Sequence, residues 1–569
     1  MNPVDPANPV RPAGPVDPAN PVGPVGPVDP VNPVDPVDAA ATYRGGAEMP
    51  HRREEGPATE AGVRASAGTV GGTDLDADVV VLGGGPAGLM AALRLARAGR
   101  RVTVVERAGA VGGMAGSFDV AGVRVDFGSH RLHPVVSPRL RHELEDLLGA
   151  DLQTRVRRGR INLEGRWLGF PLRLGDLARN LPRPFLARVA FDTATAPLRR
   201  PRRPTAGDVI AARLGPTVAR HFYIPYLTKL WDTSPDDLSA ELADRRVSAR
   251  SGLDVIRKAL RTRQPGGGQF LYPRRGYGQI SEAVADAAVA AGATLCLDTE
   301  VTGLYLSGDG GGIGVGIGVG LDAPLDAPLG AGLGTPLGAR RDARSNGGIA
   351  GGARVMRAGA VFSTIPIPLL ARLGAAPAPV LAAAGRLRHR AMVLAYLVLD
   401  ADRLTDYDAH YFPGLDTPVS RLSEPKNFRS GDGDDPPGVT VVCAELPCWE
   451  GDETWTASGD ELAQRVVGTL TPLGFRFPAV VRAEVRRLPR CYPVYTGTYA
   501  ADLAILEAWA AAQPGLLTFG RQGLFAPDNT HHALEMGWEA ADAVRADGSI
   551  DHGRWAAARE SFRDHVVED

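Results

Sequence analysis

Regular hydrophobic patterning starts at residue 77. Ala77 to Leu82 is a short, valine-rich apolar run that suits a strand buried on both faces of a parallel sheet. Leu89, Leu93 and Leu95 then recur among alanines and stop at Gly99, which predicts a helix over 89–98 with a C-terminal glycine. Arg101 to Glu106 reads as a second strand, so the three segments make one βαβ unit. Helical periodicity returns over Ile280–Ala291 and His532–Val544, with β-like runs at Ala293–Leu304 and Ala358–Ile365. Between Met392 and Val442 apolar strands alternate with turn residues, which predicts an antiparallel sheet.

Composition explains where the patterning is missing. The 569 residues include 70 Gly and 47 Pro, too many for a compact chain throughout. Proline occupies every third position from Pro3 to Pro36, which favours polyproline II; without glycine at every third place a collagen triple helix is excluded. Residues 38 to 76 are polar and aperiodic, so 1–76 reads as a disordered, Pro-rich tail and linker. A second interruption, Gly308 to Gly352, holds 16 glycines between two β-like runs and reads as a disordered insert within a domain. About 450 residues remain for two interleaved domains.

Charge and cysteines narrow the class. The net charge of −2 argues against general nucleic-acid binding, and no apolar run approaches the roughly 18 residues of a membrane span. Residues 131–263 nevertheless carry 26 basic against 14 acidic side chains, a surface for an anionic substrate or for peripheral contact with an acidic membrane. Neither a basic n-region nor an apolar h-region opens the chain, so a cytoplasmic location is expected. Cys296, Cys443, Cys448 and Cys491 lack a C-x-x-C pair and histidines at zinc spacing, so reduced thiols and no metal site are expected. Oligomeric state is open.

The chemistry sits between the first strand and helix. Gly83-Gly84-Gly85-Pro86-Ala87-Gly88 is a G-x-G-x-x-G: Gly83 for the tight turn, Gly85 for close approach of a pyrophosphate to the helix N-terminus, Gly88 for helix–strand packing. Glu106 ends the second strand where a carboxylate can hydrogen-bond a ribose hydroxyl, which completes a dinucleotide-binding fingerprint.

Glu106-Arg107 leads into Gly112-Gly113-Met114-Ala115-Gly116-Ser117, an E-R-x4-G-G-x3-S pattern that resembles the second fingerprint of the FAD-dependent amine oxidase and protoporphyrinogen oxidase superfamily. The resemblance covers most of 78–545. Val125 to His133, containing Gly128, Ser129, His130 and His133, is similar to the segment beside the flavin ring and to the histidine loop of UDP-galactopyranose mutases. Phe222 to Trp231, with Tyr226 and Lys229, is similar to an F-x-x-x-Y-x-x-K-x-W block, and Tyr272 to Gly278, with Arg274 and Tyr277, to a Y-P-x-x-G-Y-x turn. Gly520, Arg521 and Asn529 fall in a stretch similar to the one that closes over the FAD, and Val301 matches the valine at the adenine edge. Mutases carry glycine after the tryptophan and tyrosines near the end, where this chain has Asp232 and Phe525-Ala526-Pro527, so the oxidase reading leads over a flavin-dependent sugar-nucleotide isomerase.

The resemblance implies an α/β fold: a Rossmann-type, glutathione reductase-like FAD-binding domain in three parts (77–135, 266–370, 496–569), interleaved with an α+β substrate domain made of a helical, basic part (136–265) and a sheet (371–495). It implies FAD as cofactor and hydride transfer from a small, anionic substrate. His130 and His133 are the candidates for proton handling. Tyr226, Lys229, Arg274 and Tyr277 are the candidates for binding substrate.

Overall fold

Two seven-stranded sheets organise the chain. The computed structural model describes residues 76–247, 268–306, 313–319, 354–430 and 435–567. The proline triplets, the linker and most of the glycine-rich insert lie outside these residues. All described residues belong to one unit, Val70–Asp569.

The first sheet runs in the order Thr299–Leu306, Ile313–Val319, Arg354–Ser363, Asp76–Leu82, Val102–Val105, Thr294–Cys296, with Leu516–Thr518 also paired to Arg354–Ser363. Its centre is parallel. The alternation of side chains along Asp76–Leu82 explains its run of valines: Val79 and Val81 enter one core while Val80 and Leu82 enter another, so both faces are dry. Helices Pro86–Arg97, Gln279–Ala290 and Thr530–Asp542 contribute to the first core. Ala206–Leu214, Ile367–Leu373 and Tyr499–Ala511 contribute to the second. Pro86–Arg97 and Thr530–Asp542 touch backbone to backbone, because a Cβ on Gly537 would stand 2.1 Å from the Ala87 carbonyl oxygen.

The second sheet runs Val480–Pro493, His389–Asp400, Val439–Cys448, Arg421–Ser423, Ala409–Tyr411, Gly159–Leu163, Arg166–Phe170 and is mostly antiparallel. His389–Asp400 is buried from Arg390 to Leu399, with helix Gly459–Leu470 packed over one face and the hairpin Ser117–Val120/Val123–Asp126 over the other.

Two sequence expectations change. Residues 136–265 are not purely helical: Leu152–Val156, Gly159–Leu163 and Arg166–Phe170 are strands, and the last two extend the second sheet. Their apolar positions are interrupted by arginines whose aliphatic stems and guanidinium faces pack on aromatic rings, as Arg160 does on Trp167 at 3.9 Å, which masks the strand period. Within the glycine-rich insert, Ile313–Val319 is a strand paired antiparallel on both sides. Its alternating Ile-Gly-Val-Gly pattern lets Gly314 and Gly316 make room for the Tyr305 side chain, 3.2 Å from each of their Cβ positions. Among the described residues no helix is long and apolar enough to cross a membrane.

Candidate active site

The first strand delivers the chain into Gly83, whose φ of +102° favours glycine and where a Cβ would meet Thr364 Oγ1 at 2.4 Å. Gly88 faces the Gly83 carbonyl, 2.1 Å from where a Cβ would stand, so helix and turn are in backbone contact. Gly85 differs from both. It caps Pro86–Arg97 with φ −80°, and a Cβ there would meet nothing within 4 Å. Open space before an uncapped helix N-terminus is the shape that accepts a pyrophosphate. Pro86 at the first helical position costs no hydrogen bond, and Ala87 is buried.

Two other segments close on this loop. Gly112 donates its N–H to the Gly84 carbonyl at 2.8 Å, and a Cβ on Gly113 would stand 3.7 Å from the Gly85 Cα. Gly520 packs against Ala87, and Gln522 Nε2 reaches Met114 Sδ at 3.7 Å. Glu106 accepts the Gly84 N–H (2.7 Å) and the Ala108 N–H (2.8 Å), and Arg107 beside it is exposed. Thr299 donates to the Glu106 carbonyl at 3.0 Å, which carries the strand bearing half-buried Val301 alongside.

The 128–130 loop is held from the second sheet. Ser129 N–H donates to Glu445 Oε1 at 2.9 Å, and Arg421 binds that carboxylate with two hydrogen bonds, 2.9 and 2.8 Å. Gly128, at φ +87°, lets the loop turn over Glu445. His130 Nε2 is 2.9 Å from the Phe127 carbonyl and so donates to it, while its ring stacks on Tyr277 at 5.1 Å. Burial lowers the His130 pKa against the opposing pull of Asp126, so the ring is neutral near pH 7. Asp126 accepts from Ser117 Oγ (2.6 Å), Tyr272 Oη (2.5 Å) and Tyr277 N–H (2.9 Å). The same burial raises the Tyr277 hydroxyl pKa.

Several predicted residues have other employment. His133 Nδ1 accepts the Val135 N–H at 3.2 Å, and the residue lies close enough to His531 to disfavour protonation there. Arg274 is exposed and paired with Asp151 at 3.3 Å. Tyr226 packs against the second core. Lys229, 9% exposed, donates to the carbonyls of Phe412 (2.6 Å) and Val419 (3.0 Å), so it clamps helix Ile224–Trp231 onto the second sheet instead of offering a charge to substrate. In sequence a buried lysine with carbonyl partners looks the same as a ligand-binding one. Burial pulls its pKa down to about 7 from the ordinary 10.5. Between those values the unfolded chain keeps a proton that the folded chain has shed, so Lys229 makes stability rise as pH goes from about 7 to about 10.5, with the full burial penalty present below 7. Urea unfolding across that window should show the slope in the wild type and a flatter one in Lys229→Met; equal slopes would remove this account of Lys229.

A group that sequence reasoning missed lies where the second sheet meets the C-terminal segment. Arg521 donates to the Cys491 carbonyl at 2.6 Å and the Asp528 carbonyl at 3.1 Å, and Gln522 to the Arg490 carbonyl at 2.6 Å. Arg390 pairs in register with Tyr492 and lies over Trp449 at 4.5 Å. Arg390 Nε and Nη1, Arg521 Nε, Gln522 Oε1 and His389 Nε2 are all buried without a hydrogen bond. Such atoms cost free energy unless a ligand satisfies them, and the three guanidinium N–H donors among the five favour an anionic group. Burial, with Arg490 and Arg521 adding to it, lowers the His389 pKa to about 3, so that ring is neutral. Arg521 falls in a stretch the sequence singles out, but no spacing signal ties it to His389, which meets it only through the fold. Asn529 caps helix Thr530–Asp542 just beyond.

Two of the positions that depart from the mutase pattern are conformationally unusual. Asp232 adopts φ +48° and Phe525 φ +51°, both left-handed conformations. Asp232 uses its carboxylate to accept from Trp449 Nε1 at 2.7 Å.

A profile of the flavin containing amine oxidoreductases matches residues 86–545. Among solved structures, that of reduced UDP-galactopyranose mutase superposes with a TM-score of 0.66 at 19% identity, covering 86% of this chain and 100% of that one. Cyclohexylamine oxidase from Brevibacterium oxydans IH-35A superposes with a TM-score of 0.55 at 18% identity, covering 83% and 99%. A putrescine oxidase of Kocuria rosea is 42% identical over 87 residues, 15% of this chain and 18% of that protein. The match thus spans less than a fifth of that curated relative's length.

Proposed function

Because the chain belongs to the flavin-containing amine oxidoreductase family, we propose that it is an FAD-dependent oxidoreductase that removes a hydride from a C–N or C–C bond of a small, anionic substrate. The parallel sheet, with its three glycine segments, reads as a glutathione reductase-like Rossmann domain, and the second sheet with the 136–247 helices as an interleaved α+β substrate domain. The open face of Gly85, with Gly113 beside it and Gly520 packed on the neighbouring Ala87, fits a dinucleotide pyrophosphate.

FAD, when bound, supplies the acceptor for the hydride. Gly83 to Gly88, Gly112 to Met114 and Gly520 would hold the pyrophosphate, Glu106 a ribose, Val301 the adenine edge, and Gly128, Ser129 and Asn529 the ring side. The rest is done by side chains where the second sheet meets the C-terminal segment. Arg521 orients the substrate's anionic group through a buried Nε–H that no protein atom accepts. His389, neutral and with Nε2 unbonded, can accept a hydrogen bond from a substrate N–H or O–H. His130 has its Nε2–H committed to Phe127, so it positions the loop.

The observation that carries this reading is the meeting of the buried, unpartnered donors with the segment that closes the glycine cleft, at Arg521 and Gln522. Under anaerobic conditions an oxidisable amine or porphyrinogen should bleach the flavin stoichiometrically, and air should restore it. Turnover of a nucleotide sugar only after dithionite reduction would instead assign the isomerase. Purified protein with no yellow chromophore after incubation with FAD would exclude both.

A further inference from the structure

We propose that Asp528, His532 and His565 bind a divalent transition-metal ion of the zinc type, which clips the chain's last helical region to the start of helix Thr530–Asp542. One ligand atom from each of the three lies within 4.8 Å of the others. His565 Nδ1 and Asp528 Oδ2 are 3.0 Å apart, bonded to each other through a hydrogen. Two ligands on one zinc, at bonds of about 2.0–2.1 Å, are separated by roughly 2.9–3.4 Å, so an ion can take the place of that hydrogen with little movement. The His565 proton would then sit on Nε2. The rings of His532 and His565 are stacked at 4.1 Å and 9°, so a small tilt of one ring brings both in-plane lone pairs onto one ion.

An independent observation points the same way. Asp528 is 2% exposed, and its Oδ1 has no hydrogen bond. Arg245 Nη1 approaches it only to 3.5 Å, and the same guanidinium is shared with Glu241 at 2.9 Å through Nε. A buried carboxylate with one oxygen left without a donor keeps charge that a cation bound through the other oxygen, Oδ2, would offset.

An entry path is present. A cavity of about 290 Å³ lined by Ser137, His531, His532, Glu535 and His565 opens beside the group. Glu535 is engaged by Arg139, and the fourth coordination position is left for water from this cavity. The three residues come from a loop, a helix start and the chain's last described turn, so no sequence spacing announces them.

The test is equilibrium dialysis of the purified flavoprotein against Zn2+, followed by elemental analysis and thermal melting. Wild type should retain one Zn2+ per chain and melt higher with the ion than without it. His565→Phe, which keeps a ring for stacking, and Asp528→Asn should retain none and lose the shift, with flavin content reporting that each has folded. His142→Gln, at an exposed His–Asp pair elsewhere, should behave as wild type. No retained ion in wild type, or equal retention in His565→Phe, overturns the proposal.

Discussion

Gly85→Ala should fold with the wild-type melting temperature and be purified without its flavin. A Cβ at Gly85 meets no protein atom within 4 Å, so the native state carries no clash, and the φ of −80° suits alanine. The methyl group occupies the space before the helix N-terminus where a pyrophosphate must approach the backbone. A weakening of at least tenfold, about 1.4 kcal/mol, is the minimum expected, read from the flavin-to-protein absorbance ratio and an FAD titration. Gly88→Ala is the contrasting variant. Its Cβ would stand 2.1 Å from the Gly83 carbonyl, so helix and turn must separate, and both melting temperature and flavin should fall. If Gly85→Ala keeps its flavin, the open face belongs to something other than the cofactor.

The second large effect is at Arg421. Its guanidinium lies directly opposite Glu445 in the strand register and makes two hydrogen bonds to it; the Glu445 side chain is 4% exposed. Arg421→Met would leave a buried carboxylate with the Ser129 N–H as its remaining hydrogen-bond donor, at a cost of about 3–5 kcal/mol in urea unfolding. Arg421→Met with Glu445→Gln should recover much of that loss, because the neutral amide no longer needs the cation. Ser129 would keep an acceptor in the amide oxygen, so the double variant should also keep more of its flavin. A double variant as unstable as the single one would mean that shape, not charge, dominates at this pair.

These two sites differ in how far the amino-acid order announces them. Gly83 to Gly88 lies within one turn, and each glycine answers to a local demand: a left-handed φ at Gly83, backbone contact at Gly88, open space at Gly85. The strand before and the helix after are equally local, since valine alternation and leucine spacing require only their own neighbours. The Arg421–Glu445 pair requires two strands to align, and nothing near either residue marks it. Lys229 shows the opposite error. Its block matches a family pattern, yet the side chain is spent on two backbone carbonyls that come from a distant loop.

The sequence by itself therefore determined the βαβ start, the glycine cleft and, through motif order, the family to which the chain belongs. Those features are short-range: period, turn chemistry and close backbone approach are written within a few residues. Tertiary structure alone decided which charged groups face one another. It spent Lys229 and Arg274 on structural partners, gathered His389, Arg521 and Gln522 beside the cleft, and drew His565 to Asp528. The reason is that a charge or a lone pair acts over a few ångströms of space, and in this fold those few ångströms join residues separated by up to hundreds of positions along the chain.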